Sequence, residues 1–208
     1  MQVAFAPAFL VLDHADGRAV CDDATVTEDK DTVRSRERKV YVMGHQVDAL
    51  EAGHRRVHAL IGELPSRALT IRGVGGGDWS PKDLVGHLAS WEEHALEALD
   101  AWDAGHGPAI DKALWSYSTN KVNREEVERK AKWSAPEVIR RAEASHEQLY
   151  SRLRAMSNSR WRLPGTSRGR KSVGERLGGI LAGPAGKPFT HADAHMKDLE
   201  AFVAAHRS

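Results

Sequence analysis

At 208 residues the chain can bury one substantial core, and two complete domains would be a squeeze. Lysine and arginine total 30 against 29 acidic residues, so net charge argues neither for a nucleic-acid binder nor for an acidic-surface protein. The lone cysteine, Cys21, excludes an internal disulfide and a multi-cysteine zinc site and fits a reducing cytoplasm, and no apolar run approaches the ~18 residues of a membrane span.

In chain order, residues 1–42 read as a non-periodic N-terminal arm: a β-prone stretch at Phe9 to Leu12, a turn at Asp16 and Gly17, then a charged tract from Asp22 to Lys39. A short apolar start with no preceding Lys or Arg speaks against a signal peptide. Periodic sequence begins near Met43, which makes that methionine a candidate start and 43–208 the expected domain. From Gly44, Val47, Leu50, Val57, Ile61 and Leu64 step by threes and fours, with His54 in the same seam, until Pro65. After a glycine-rich loop, Ser80-Pro81-Lys82-Asp83 supplies an N-cap, a proline at the first helical position and an acidic third residue. The helix that follows carries Leu84, His87, Leu88, Trp91, Ala95, Leu99 and Trp102 on one side.

Residues 110–131 read as a polar helix or an irregular excursion with Trp115, Asn120 and Asn123. Ser134-Ala135-Pro136-Glu137 repeats the helix-start pattern and opens a stripe of Ile139, Ala142, His146, Leu149, Leu153 and Met156. A glycine-punctuated connector with a short helix at Ser172 to Leu181 leads to a last helix, expected from near Phe189, with His191, His195, Leu199 and Phe202 on one face. Four helical patterns and almost no strand signal after the arm make an all-α helix bundle with long connections the expected architecture.

Each expected bundle helix thus has a histidine on its inward stripe: His54, His87, His146, and His191 with His195. Four-residue spacing alone is weak, since His54 and His58 share it, and a single histidine on an apolar face is more often a hydrogen-bonded core residue than a ligand. Several converging imidazoles are costly to bury together unless a metal or a polar ligand satisfies them. Glu92, Glu143 and Asp193 are candidate bases near these helices, although surface or capping roles are the simpler reading.

The segment Asp78-Trp79-Ser80-Pro81 through His87-Leu88 to Trp91-Glu92 resembles the second-helix signature of the DinB-like superfamily of four-helix bundle proteins. Phe189-Thr190-His191-Ala192-Asp193-Ala194-His195 resembles its last helix. The resemblance implies a three-histidine metal site of His87, His191 and His195, a divalent ion such as Zn²⁺ or Ni²⁺, and a low-molecular-weight thiol as candidate co-substrate. His54, His146, Trp91, Trp115 and Asn120 are then pocket residues or supports of the ligands, with core packing the alternative for the two histidines. The middle of the chain, Trp115 to Asn123 and Ala144-Ser145-His146, also resembles the DfsB and colibactin-resistance branch. Superfamily activities are diverse, so fold alone does not fix the reaction.

Two functions compete. One is a metal-dependent hydrolase or thiol-dependent transferase acting on a small electrophilic metabolite in detoxification or resistance; the other is a non-catalytic bundle that binds or sequesters a small molecule. A membrane partner is not expected, nucleic acid is disfavoured, and a homodimer is left open. Eight basic residues between Arg152 and Arg176 read as a solvated connector, with an electropositive rim for an anionic substrate as the sharper alternative. Gly165 to Ser172 lacks the spacing and preceding strand of a phosphate loop.

Overall fold

The computed structural model describes residues 30–166 and 169–208, and of 30–42 only the helical backbone. The stretch 1–29 of the expected arm lies outside the described residues. Helix α1 runs Lys30–Gly62, so the expected boundary at residue 43 falls inside a continuous helix. Its first ten residues, KDTVRSRERK, are rich in helix-favouring charged side chains but have no apolar stripe, which is why periodicity alone places the start too late.

Helix α2 spans Pro81–Asp103, and Ser80 and Asp83 close the reciprocal capping box that the sequence announces. In place of a single polar helix or an irregular excursion, two helices follow, α3 (Ala109–Ser116) and α4 (Thr119–Lys130). Ser134 caps α5 (Ala135–Ala155), and the connector contains α6 (Asn158–Arg162) and α7 (Val173–Ile180), the latter with a second capping box from Ser172 and Glu175. The last helix, α8, begins only at Asp193 and ends at His206. Phe189 has φ +60°, in the left-handed region, and cannot open a helix. No strand occurs among the described residues, and no helix there is long and apolar enough to cross a membrane.

The long helices α1, α2, α5 and α8 make an all-α bundle in the compact unit from Val40 to Ser208, with α2 buried on nearly every side and packed most extensively on α5. Two apolar clusters fill it. One gathers Leu50, Trp91, Leu99, Leu149, Leu153 and Phe189; the other gathers Val57, Ile61, Leu84, Val138, Leu199 and Phe202. Along α1, α5 and the approach to α8, the histidines fall where the chain passes from one cluster to the other: His54 between Leu50 and Val57, His146 between Ala142 and Leu149, His191 between Phe189 and Met196. The bundle therefore carries a histidine layer between two apolar ones.

Candidate metal centre and adjoining cavity

His87 comes from the second turn of α2, 1% exposed, and its position is fixed by the capped helix start and by Trp79, whose ring centroid lies 4.7 Å away. His195 is in the first turn of α8. His191 precedes the helix, in a turn where Ala194 N–H donates to its carbonyl, rather than standing with His195 on one helical face. That turn follows a loop in which the Thr190 hydroxyl and the Gly183 amide both donate to the Lys187 carbonyl.

The three rings converge. Centroids are 4.9 Å apart for His87 and His191, 5.1 Å for His87 and His195, and 5.4 Å for His191 and His195. One ligand nitrogen from each lies within 4.8 Å of the others. His87 Nε2 and His191 Nε2 face each other at 3.2 Å, close to the roughly 3.4 Å separating two ligands at ~2.1 Å from a tetrahedral ion. Burial pushes all three imidazoles toward the neutral form: His191 falls to about 3, His87 goes well below the ordinary histidine value, and His195 is lowered against the partial counter-pull of Asp198. Neutral nitrogen donors are what Zn²⁺ or Ni²⁺ takes, so the donor set fits such an ion. One feature opposes tight binding. His87 Nδ1 is buried without a hydrogen-bond partner, whereas metal-ligating histidines usually anchor their second nitrogen.

A second cluster lies alongside. His146 on α5 is held between two carboxylates, Nδ1 to Glu92 Oε1 at 3.0 Å and Nε2 to Glu51 Oε2 at 2.8 Å. Burial opposes its charge, but both carboxylates outweigh burial and raise its pKa. His54 stacks flat on the His146 ring, centroids 3.6 Å apart and planes 8° from parallel, and desolvation with the neighbouring charge lowers it to about 3. A cavity of about 30 Å³ joins the two clusters: Glu92, His54, His58 and His191 supply its polar wall, and Val85, Leu88 and Phe189 part of its apolar wall.

A family model of the DinB superfamily matches residues 49–182. The chain belongs to the DinB superfamily. The matched span holds His54, His87, Glu92 and His146 but stops before His191 and His195, so the convergence of those two on His87 is a finding of the structure. Neither a curated protein nor a solved structure matches the chain.

The structure brings His87, His191 and His195 together and sets Trp91 beside them, its ring 5.9 Å from that of His191. His54 and His146 belong to the adjoining cluster. Trp115 does not join either group: it is 85% exposed on α3, and Asn120 is likewise at the surface on α4. The asparagine contact to the site is made instead by half-buried Asn123, whose Oδ1 accepts from Trp91 Nε1 at 3.0 Å, because α4 turns that side toward α2. Trp161 packs in the core, stacked on Phe189. Sequence reasoning missed Glu51 and held Glu92 as a candidate base with a surface or capping role as the simpler reading, yet Glu92 lies four residues after Leu88 and eight after Leu84, helical spacing that aims it inward. Several basic residues of the connector are tied up locally: Arg152 pairs with Asp100 and Asp103, Arg160 with Asp103, and Arg176 with Asp111.

Proposed function

We propose that this DinB-superfamily bundle holds a divalent ion on His87, His191 and His195 and is a metal-dependent enzyme acting on a small electrophilic metabolite, as a hydrolase or a thiol-dependent transferase. The observation that carries the reading is the convergence of three imidazoles, His87 buried and His191 and His195 half-buried, with ligand nitrogens within 4.8 Å of one another and pKa values lowered by desolvation. Zinc or nickel bound there would have open positions, with which it could polarise a substrate and activate a nucleophile. The chain's own residues would do the rest. Leu88 and Phe189 exclude bulk water from the cavity, Trp79 and Trp91 fix the ring positions, and the polar wall of Glu92, His54 and His58 orients a reactant. The likeness of Trp115 to Asn123 and Ala144-Ser145-His146 to the DfsB branch favours hydrolysis and a role in detoxification within this proposal, and the lone Cys21 suits a cytoplasmic setting.

A non-catalytic, sequestering bundle is the second reading, favoured by the unanchored Nδ1 of His87. Elemental analysis of tag-free protein separates the two. Near-stoichiometric zinc or nickel in the wild type, lost in His195→Ala and kept in His58→Ala, is the expected result. Equal metal content in the two variants would sink the three-histidine site, since His58 lies in the cavity wall and pairs with Glu143 rather than with the triad.

A further inference from the structure

Four polar side chains face the cavity beside the three-histidine cluster, and only one has the chemistry to take up a proton there. His191 would be committed to the ion. His58 is turned to Glu143 at 3.4 Å. His54 is desolvated by burial and lies flat against the His146 ring, which together make it a very weak base. Glu92 remains, a buried carboxylate engaged through Oε1 and retaining the lone pairs of its second oxygen.

Glu92, His54 and His146 also have the proximity of a second metal site, with ligand atoms within 4.8 Å, but their orientations argue against one. Both nitrogens of His146 already face carboxylate oxygens, and rings stacked 8° from parallel do not aim lone pairs at a common centre. The arrangement is a clamp. Glu51, itself paired with Arg55 at 2.8 Å, holds one side of His146, and His146 holds Glu92. An imidazole orienting a carboxylate from behind fixes where that carboxylate points.

We propose that Glu92 is a catalytic residue of this cavity, the acceptor of the proton from a protic nucleophile, water or a thiol, held between Glu92 and His191, with His146 as its positioning residue. The inference deepens the enzyme reading and rests on it. In the step, the O–H or S–H bond breaks, its proton moves to a carboxylate oxygen of Glu92, and its electron pair stays on oxygen or sulfur for attack on the electrophile. Glu92 becomes a neutral acid, ready to return the proton to a leaving group. Burial, which raises the Glu92 pKa against the pull of His146, favours that neutral form.

The test counts protons. Zinc-loaded full-length protein is titrated at pH 7 with 2-mercaptoethanol in two buffers of different ionisation enthalpy, and the heats give the protons released per thiol bound. Wild type should release almost none, because Glu92 keeps the proton, and Glu92→Gln should release about one more. The same count for zinc binding without thiol identifies the source: a difference between the proteins there assigns the proton to water, and one seen only with thiol assigns it to the thiol. Equal release in both proteins in both arms overturns the proposal. If Glu92→Gln does not fold, the Glu92 carboxyl ¹³C resonance of the wild type carries the test: a shift toward the protonated acid on zinc binding or on thiol addition supports the role, and a resonance unchanged by both overturns it. Zinc content, measured separately, reports on the metal reading by itself. In a chain that takes up none, that reading falls, and Glu92 is judged by its carboxyl resonance in the metal-free protein.

Discussion

His191 and His146 are both inward-facing imidazoles of one bundle, and their surroundings shift their pKa values in opposite directions. Burial and a second histidine lower the pKa of His191, whereas at His146 two carboxylates outweigh burial and raise it. The consequence for stability has a definite sign. His54, His87, His191 and His195 have folded pKa values below the unfolded value, so as pH falls below ~6.5 the unfolded chain binds protons that the native chain refuses, for His54 and His191 down to about 3. The stability they contribute is present above pH ~6.5 and is lost as pH falls through that window, by up to ~1.4 kcal/mol per pH unit for each such proton. His146 acts the other way: its raised pKa contributes stability at low pH that fades as pH rises through its folded value. Denaturant melts of chelator-treated protein should therefore show a steep loss of stability below pH 6.5. A flat profile down to pH 4 would mean that the buried imidazoles are solvated. The same lowered values extend the acid range of metal uptake well below the ~6.5 expected of free imidazole, because these nitrogens stay unprotonated there.

At the scale of elements, short signals at helix starts place most of the frame. Ser80, Ser134 and Ser172 each cap the helix that their sequence context predicts, because a cap is a local interaction that no distant packing needs to supply. Ser80→Ala should cost about 1 kcal/mol, read as a lowered chemical-denaturation midpoint with unchanged slope. What the sequence left illegible depends on long-range packing. The α8 start slips from Phe189 to Asp193 because Phe189 is pulled into the core against Trp161, in a left-handed conformation that local propensity disfavours. The inward turn of Glu51 depends likewise on His146 of α5, 95 residues away in the chain, where no local pattern points. The loop that results is tight. A Cβ at Gly183 would collide with the Thr190 carbonyl and hydroxyl, one residue before His191. Gly183→Ala should thus lower stability by roughly 1–3 kcal/mol and weaken zinc affinity, whereas Gly179→Ala, which meets open space, should change affinity little. Equal zinc affinities in the two variants would show that the loop does not set His191.

For the bundle as a whole, the three histidines connect parts of the chain that are distant in sequence. His87 belongs to the central helix inside the superfamily-matched span, and His191 and His195 belong to the C-terminal segment beyond it. The four-helix architecture was readable because each apolar stripe needs a partner, and so was the histidine layer, since its members share those stripes. Which histidines would meet in a common centre was not readable from the stripes, because that depends on how far along its axis each helix sits. An ion bound across this gap would act as a cross-link of the native state alone, and its effect follows mass action: stabilisation grows as RT ln(1 + [L]/Kd), ~2.7 kcal/mol at a hundredfold excess over Kd. Zinc should therefore raise the thermal midpoint of the wild type in a concentration-dependent way, and its gain should be abolished in His195→Ala and retained in His58→Ala. The chelated proteins provide the baseline, since His195→Ala also removes a half-buried side chain with a small cost of its own. A zinc-induced gain that survived in His195→Ala would place the ion elsewhere, and a gain absent from all three proteins would leave the histidine layer as a polar seam between two apolar cores.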